Sequence, residues 1–269
     1  EKMDKTSKNI LIYGVPFSQP VRAVMWLMLI KKFPFKLKLT NPGSSSEGGS
    51  RHPDFLKKFP TGTIPSLEDP DTGFAISESH AIMCYLCNKY NWDDLYPVNP
   101  EKRAKVDSYL HLHHRNIREA SIGIVAPKVR KDLSFSEDFL AASKSNIEKA
   151  FEAIEIGWLR DSRFLIGDTM TIADISAYVE IGQLQSMFTN VYNFEPYPNI
   201  RKWLKEMQNV DYHDDIHVAL FELGDISKEA PPIEVMINAN KKATASERQE
   251  LSNYIKTLGI NGSKLIKKF

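Results

Sequence analysis

The chain has 269 residues, with 35 basic side chains against 34 acidic ones and a net charge of +1, so no long-range field draws nucleic acid or an anionic membrane to it. Its hydrophobic content of 42% is ordinary for a globular protein of one or two domains, and the longest apolar run, Ala23 to Ile30, falls far short of a membrane span. Two cysteines cannot make a disulfide framework and the charged opening Glu1 to Asn9 lacks the apolar stretch of a secretory signal, so a cytoplasmic protein with reduced thiols is expected.

In chain order, Asn9 to Tyr13 is a short β-favouring run closed by the turn residues Gly14 and Pro16. Ser18 can cap a helix that runs to about Lys32, with Val21, Val24, Met25 and Met28 at helical spacing and Pro34 beyond its end. Phe35 to Leu39 alternates apolar residues with lysines and reads as a second strand. Asn41 to Ser50, rich in glycine and serine, reads as a mobile surface loop. Ile64 to Glu68 and Gly73 to Ile76 follow as two short strands, and a helix from about Glu78 to Tyr90 carries Ile82, Met83 and Leu86. Residues 9–90 thus form a small α/β domain.

Asn91 to Pro100 has the prolines and acids of a connector. Residues 101–226 read as all helical: Val106, Tyr109, Leu110 and Ile117 mark one helix, Ile147, Phe151, Ile154 and Trp158 another, Ile172, Ile175 and Val179 a third, and Ile200, Leu204 and Met207 a fourth. Thr171 and Asp174 form a capping-box pair at the start of the third. Residues 227–269 form a lysine-rich tail in which Ser246 and Gln249 predict the start of one amphipathic helix. Leu251, Tyr254, Ile255 and Leu258 lie on its face, and Gly259 is its stop.

Three segments carry a resemblance: Tyr13-Gly-Val-Pro-Phe-Ser-Gln-Pro-Val-Arg-Ala-Val24, Thr63-Ile-Pro-Ser-Leu67 and Ile76-Ser-Glu-Ser-His-Ala-Ile82. In this order and at these separations they resemble the thioredoxin-like domain of theta-type, serine-using glutathione transferases, from about Asn9 to Gly224. The resemblance implies an α/β thioredoxin-like domain followed by an all-α domain, a homodimer, and glutathione as co-substrate with no further cofactor. It implies that Ser18, at a helix start where amides and the dipole favour an anion, stabilises the glutathione thiolate. Ile64 and Pro65 match a cis-proline site whose backbone pairs with the cysteinyl unit, and Glu78 with Ser79 matches the γ-glutamyl subsite. Tyr13 is the rival hydroxyl, since other transferase classes use a tyrosine near the end of the first strand. The histidine that contacts the glycyl carboxylate in related enzymes has no counterpart at Gly62, so Arg51 or His52 is left to supply that charge. The position of arginine in some relatives holds His80 here.

The implied reaction is conjugation of glutathione to small hydrophobic electrophiles, a detoxification chemistry, with peroxides among the acceptors. Phe17, Arg118, Ile122, Val125 and Phe221 are the candidate walls of the electrophile pocket, and the tail near Leu251 to Leu258 is placed to cover it. Cys84 and Cys87 lie inside a helix, where packed thiols rather than a redox pair are expected. The histidines at 80, 111, 113 and 114 lack the four-ligand spacing of a structural metal site, so no metal is expected. The competing function is a non-catalytic binding or assembly module on the same fold, favoured by the absent histidine and the basic tail.

Overall fold

The computed structural model describes residues 10–229 and 231–257. Four strands, β1 (Leu11–Gly14), β2 (Lys36–Leu39), β3 (Ser66–Asp69) and β4 (Phe74–Ser77), form one sheet in the order β2-β1-β3-β4. β1 runs parallel to β2 and antiparallel to β3, and β3 antiparallel to β4. Helices α1 (Gln19–Ile30) and α3 (Ser79–Tyr90) pack on each other, and the short α2 (Pro53–Lys58) sets Phe55 and Phe59 against the Tyr13 ring at 5.7 and 5.2 Å.

The helical half comprises α4 (Pro100–His113), α5 (Ala126–Val129), α6 (Glu137–Ala153), α7 (Ile172–Ile181), α8 (Pro198–Gln208), α9 (His213–Ile216), α10 (Val218–Leu223) and α11 (Ile233–Thr257). π-helical turns lie at Ala120–Val125 and Ile154–Trp158. α7 is buried along its whole length, and its start holds the expected capping box: Asp174 accepts from the amides of Thr171 at 2.9 Å and Leu165 at 2.8 Å, and from Trp203 Nε1 at 3.0 Å. Glu155 does the same service from a distance, its two oxygens accepting the first amides of α8, Asn199 and Ile200, at 2.9 Å each.

α1 is the hinge of the architecture. Its sequence pattern predicts one apolar face, yet Val21 through Leu29 are all buried, because α3, α7 and α9 all pack on it. Gly14 lets the helix come this close to β1: a Cβ there would sit 2.5 Å from Val21 Cγ2.

Three expectations need correction. Asn41 to Ser50 is a tied turn, not a mobile loop: Asn41 N donates to Gly48 O, Ser50 N to Asn41 O and Gly43 N to Ser50 Oγ, and Gly49 and Ser50 are buried. α2, unforeseen, follows at once. The helix expected to include Ile117 ends at His113, and Asn116 Nδ2 then donates to Leu112 O, a side chain taking over a helix-end carbonyl. The tail helix begins at Ile233 rather than Ser246, which lies inside it. Pro231 and Pro232 pre-set the entry, and Ala239 and Ala243 bury against Ala219 of α10. Gly259 and Leu258 lie outside the described residues.

Candidate active site

The strand register brings four connections to one edge of the sheet. Tyr13 pairs with Ser66 and Ser66 with Ser77, while Gly14 pairs with Leu39. The turn after β1, the peptide before β3, the turn after β4 and the segment after β2 therefore open on the same side.

Ser18 is the N-cap of α1, reached through a turn closed by Ser18 N donating to Val15 O at 3.0 Å. Its side chain makes no capping bond. An N-cap hydroxyl accepts from the second or third helical amide; here the second residue is Pro20, which has none, and the amide of the third, Val21, makes no bond to it. The half-buried hydroxyl is left at the positive end of the helix dipole. The Ile64-Pro65 bond is cis, and Ile64 stands just outside the β3 pairing. Glu78, the N-cap of α3, sits at φ 78°, a left-handed conformation that a side chain of this size adopts only when its surroundings impose it. Glu78 is exposed, and Ser79 is buried in the first turn of the helix.

At the remaining connection the two candidates for the glycyl charge separate. His52 caps α2, its Nδ1 accepting from Asp54 N at 3.3 Å. Arg51 is exposed, and its side chain passes over Gly62, two residues before the cis bond: a Cβ on Gly62 would meet Arg51 Cδ and a guanidinium nitrogen at 3.0 Å. The missing side chain at 62 thus makes room for the arginine.

Tyr13, the rival hydroxyl, is engaged elsewhere. It points to the α2 face, donates to Glu68 Oε2 at 2.5 Å, and has its pKa pushed up by burial and by that carboxylate. His80 is buried between the halves, its Nε2 within 2.6 Å of Ser176 Oγ, with its pKa lowered to about 3 by desolvation. Burial raises the pKa of Cys84 and pushes that of Cys87 up to about 12, so both thiols stay protonated. Among the described residues, no group of three or more His, Cys, Asp or Glu side chains is arranged to hold a metal, and no helix is long and apolar enough to cross a membrane.

On the helical side, Arg118 reaches the turn itself: it pairs with Glu180 and donates to Gln19 Oε1 at 3.3 Å. Ile122 is half-buried in the π-helical turn. Two of the expected pocket walls fail. Val125 is 1% exposed and belongs to the core, and Phe221 is 42% exposed on α10, its ring tilted against Phe188 at 4.9 Å. Phe17 is half-buried beside Ser18, and its amide donates to Asn240 Oδ1 of α11 at 2.7 Å. α11 reaches the Ser18 turn at Asn240, about three helical turns before Leu251. Gln19, Gln183, Glu180 and Asn240 escaped the sequence reading, since their partners lie 62 to 223 residues away.

The chain matches the glutathione S-transferase N-terminal domain over residues 12–100 and the C-terminal domain over residues 104–211. Glutathione S-transferase T3 of Arabidopsis thaliana is 28% identical over 231 residues, 81% of this chain and 38% of that protein. The chain spans about two fifths of the length of the first curated relatives it matches, 38% and 43%. The solved structure of a Nilaparvata lugens delta-class glutathione transferase is 26% identical, with a TM-score of 0.64 covering 91% of this chain and 99% of that one. Human glutathione transferase theta-2 shares the fold at 23% identity, with a TM-score of 0.68 covering 91% and 99%. With both domains matched in order and the free hydroxyl, the cis-proline and the strained acid meeting at one sheet edge, the chain belongs to the glutathione transferase family.

Proposed function

We propose that this chain is a theta-like glutathione transferase that conjugates glutathione to small hydrophobic electrophiles, with Ser18 holding the sulfur as its thiolate. The observation that carries this reading is the Ser18 hydroxyl, at a helix start and engaged in no capping bond. It donates to the sulfur, and the α1 dipole lowers the thiol pKa further. The Ile64 backbone pairs with the cysteinyl unit, Ser79 and the first amides of α3 take the γ-glutamyl carboxylate, and Glu78 meets its ammonium. Arg51 supplies the charge for the glycyl carboxylate, which answers the absent histidine.

The sulfur lone pair attacks the electrophilic carbon of an alkyl halide, epoxide or activated alkene. Halide leaves, the ring oxygen takes the electron pair, or the alkene carbanion is protonated from solvent. A peroxide is attacked at oxygen: the O–O bond breaks, the alkoxide leaves and takes a proton to become the alcohol, and the glutathione sulfenic acid so formed reacts with a second glutathione thiol to give the disulfide and water. The enzyme acts by proximity and by ionising the sulfur. Phe17, Ile122 and Arg118 face this second substrate, and α11 closes over them. The active form is a homodimer, for which the exposed Phe74, stacked on Tyr85 at 4.3 Å, offers a pairing surface on β4 and α3.

Retention on immobilised glutathione together with turnover of a panel of electrophiles tests the reading. Both are expected in the native protein, and turnover is lost in Ser18→Ala. Retention without turnover in the native protein identifies a binding module instead.

A further inference from the structure

Ser18 sits on a turn whose shape is imposed from the other half of the molecule. Arg22, with no exposed surface, donates to Phe17 O at 2.7 Å and Pro16 O at 3.2 Å, and across the domain boundary to Val179 O at 3.3 Å. Gln19, the residue after Ser18, donates from Nε2 to Gln183 Oε1 at 2.7 Å and accepts from Arg118 at Oε1. Both threads lead to Glu180 of α7. This carboxylate is 1% exposed; one oxygen pairs with Arg118 and the other accepts from Ser121 Oγ, while Gln183 Nε2 donates to Ser121 Oγ at 2.6 Å.

A buried carboxylate needs compensating charge or donors, and Glu180 has both. It faces Arg118 before the π-helical turn, Arg22 on α1, and His113 and Tyr109 on α4. His113 Nε2 stands 4.0 Å away, but desolvation lowers its pKa well below the ordinary value, so it is neutral near pH 7. The charges behind the Ser18 turn are then two guanidiniums and one carboxylate. Burial and the neighbouring Arg118 depress the Arg22 pKa to about 9, and Glu180 works against that fall.

We propose that Glu180 is a positioning residue for the thiolate: it holds Arg118 against Gln19, and so fixes the first turn of α1, and it sets how much positive charge reaches the sulfur at Ser18. The proposal rests on the reading that Ser18 binds the glutathione sulfur. A carboxylate placed here has a physical use. Two unbalanced guanidiniums would trap the sulfur as an over-stabilised, weakly nucleophilic anion, whereas one counter-ion leaves a single net positive charge.

The test is the pKa of bound glutathione, followed by the ultraviolet absorbance of its thiolate against pH, in the native protein, Ser18→Ala, Glu180→Gln and Arg118→Gln. Glu180→Gln keeps the side-chain shape and an oxygen for Ser121 but removes the charge. The thiol pKa is expected to fall by about one unit, the size of one charge acting over roughly 10 Å through protein. A merely structural role would leave it unmoved once thermal unfolding shows the variant to be folded. Arg118→Gln is expected to raise it by a similar amount, and decides the matter if Glu180→Gln does not fold. An unchanged or raised value in Glu180→Gln, or an unchanged or lowered one in Arg118→Gln, overturns the proposal while leaving Ser18 in place. Absence of any depressed thiol pKa in the native protein, or its persistence in Ser18→Ala, overturns the reading on which it rests and the proposal with it.

Discussion

Ser18 and Thr171 occupy the same local position, a hydroxyl at the N-cap of a helix that is buried on all sides, and the chain uses them in opposite ways. Thr171 accepts from Ala173 N and, with Asp174 returning a bond to its own amide, closes a capping box. Ser18 caps nothing. The difference is written in the next three residues. Ile172-Ala173-Asp174 offers an amide at the second position and a carboxylate at the third, whereas Gln19-Pro20-Val21 offers neither. One hydroxyl is consumed by stability, and the other is kept for a ligand while its turn is held by side chains from elsewhere.

The largest effect expected belongs to the satisfied helix start. Asp174→Ala strands the amides of Leu165 and Thr171 and the Trp203 indole in the core, and should cost about 3–5 kcal/mol in urea unfolding, with activity per folded molecule retained. Thr171→Ala should cost about 1–2 kcal/mol in the same assay. Ser18→Ala reverses the pattern: a loss of roughly a hundredfold in kcat/KM for conjugation, with unfolding moved by no more than about 0.5 kcal/mol. If the two hydroxyl variants lost stability alike, Ser18 would be a cap after all.

Why the contrast was half legible follows from range. The Ser18 and Thr171 positions, the proline at 65 and the acid at 78 belong to local patterns, as does the order of sheet and helices. Arg118 was placed near the site by resemblance, but nothing in its own segment points to Glu180. Glu180 sits on a helix whose apolar periodicity says only that it is buried, and a lone acid in such a pattern has no readable partner. The tail helix was misjudged because Ser246-x-x-Gln249 mimics a start signal, while the real start depends on two prolines and on alanines that find α10. α2 and the tied turn before it were hidden by a glycine- and serine-rich stretch whose order comes from crossing hydrogen bonds rather than from packing.

Acid sharpens the comparison between the two halves, because histidines fill their boundary. His80 has a pKa of about 3 in the fold against an ordinary 6.5, and burial holds His113 and His217 well below theirs. The unfolded chain takes up these protons and the native one does not, so stability present above pH 6.5 is lost as pH falls toward 3. Asp174 acts the other way: its carboxyl, at about 6 in the fold against 3.8, favours the native state as pH drops between those values. The buried histidines, His213 among them, outnumber the one gain, so stability is expected to fall as the pH drops below 6. Urea midpoints at pH 7 and pH 5 measure it, and a flat profile would show that these histidines are not buried neutral.

The glutathione side distinguishes Arg51 from His52. Arg51→Ala should raise KM for glutathione about tenfold with kcat nearly unchanged, as expected for a charge that binds without taking part in chemistry. His52→Ala should leave KM alone and cost about 0.5–1 kcal/mol through the lost α2 cap. Gly62→Ala, at φ 62° and with its new methyl pressed on Arg51, should reproduce the Arg51 effect by displacement.

The most local effect expected is at the tail. Asn240 is the point at which α11 grips the Ser18 turn, through one hydrogen bond to the Phe17 amide. Asn240→Ala should cost about 1 kcal/mol and speed hydrogen exchange at Phe17 by roughly tenfold. The Ser18 amide, bonded to Val15 O within the turn, should keep its protection. If exchange rose equally at both, the tail would be holding the turn's conformation rather than covering one of its amides. If it rose at neither, α11 would not rest on the site in solution, and the free hydroxyl would stand in an open cleft.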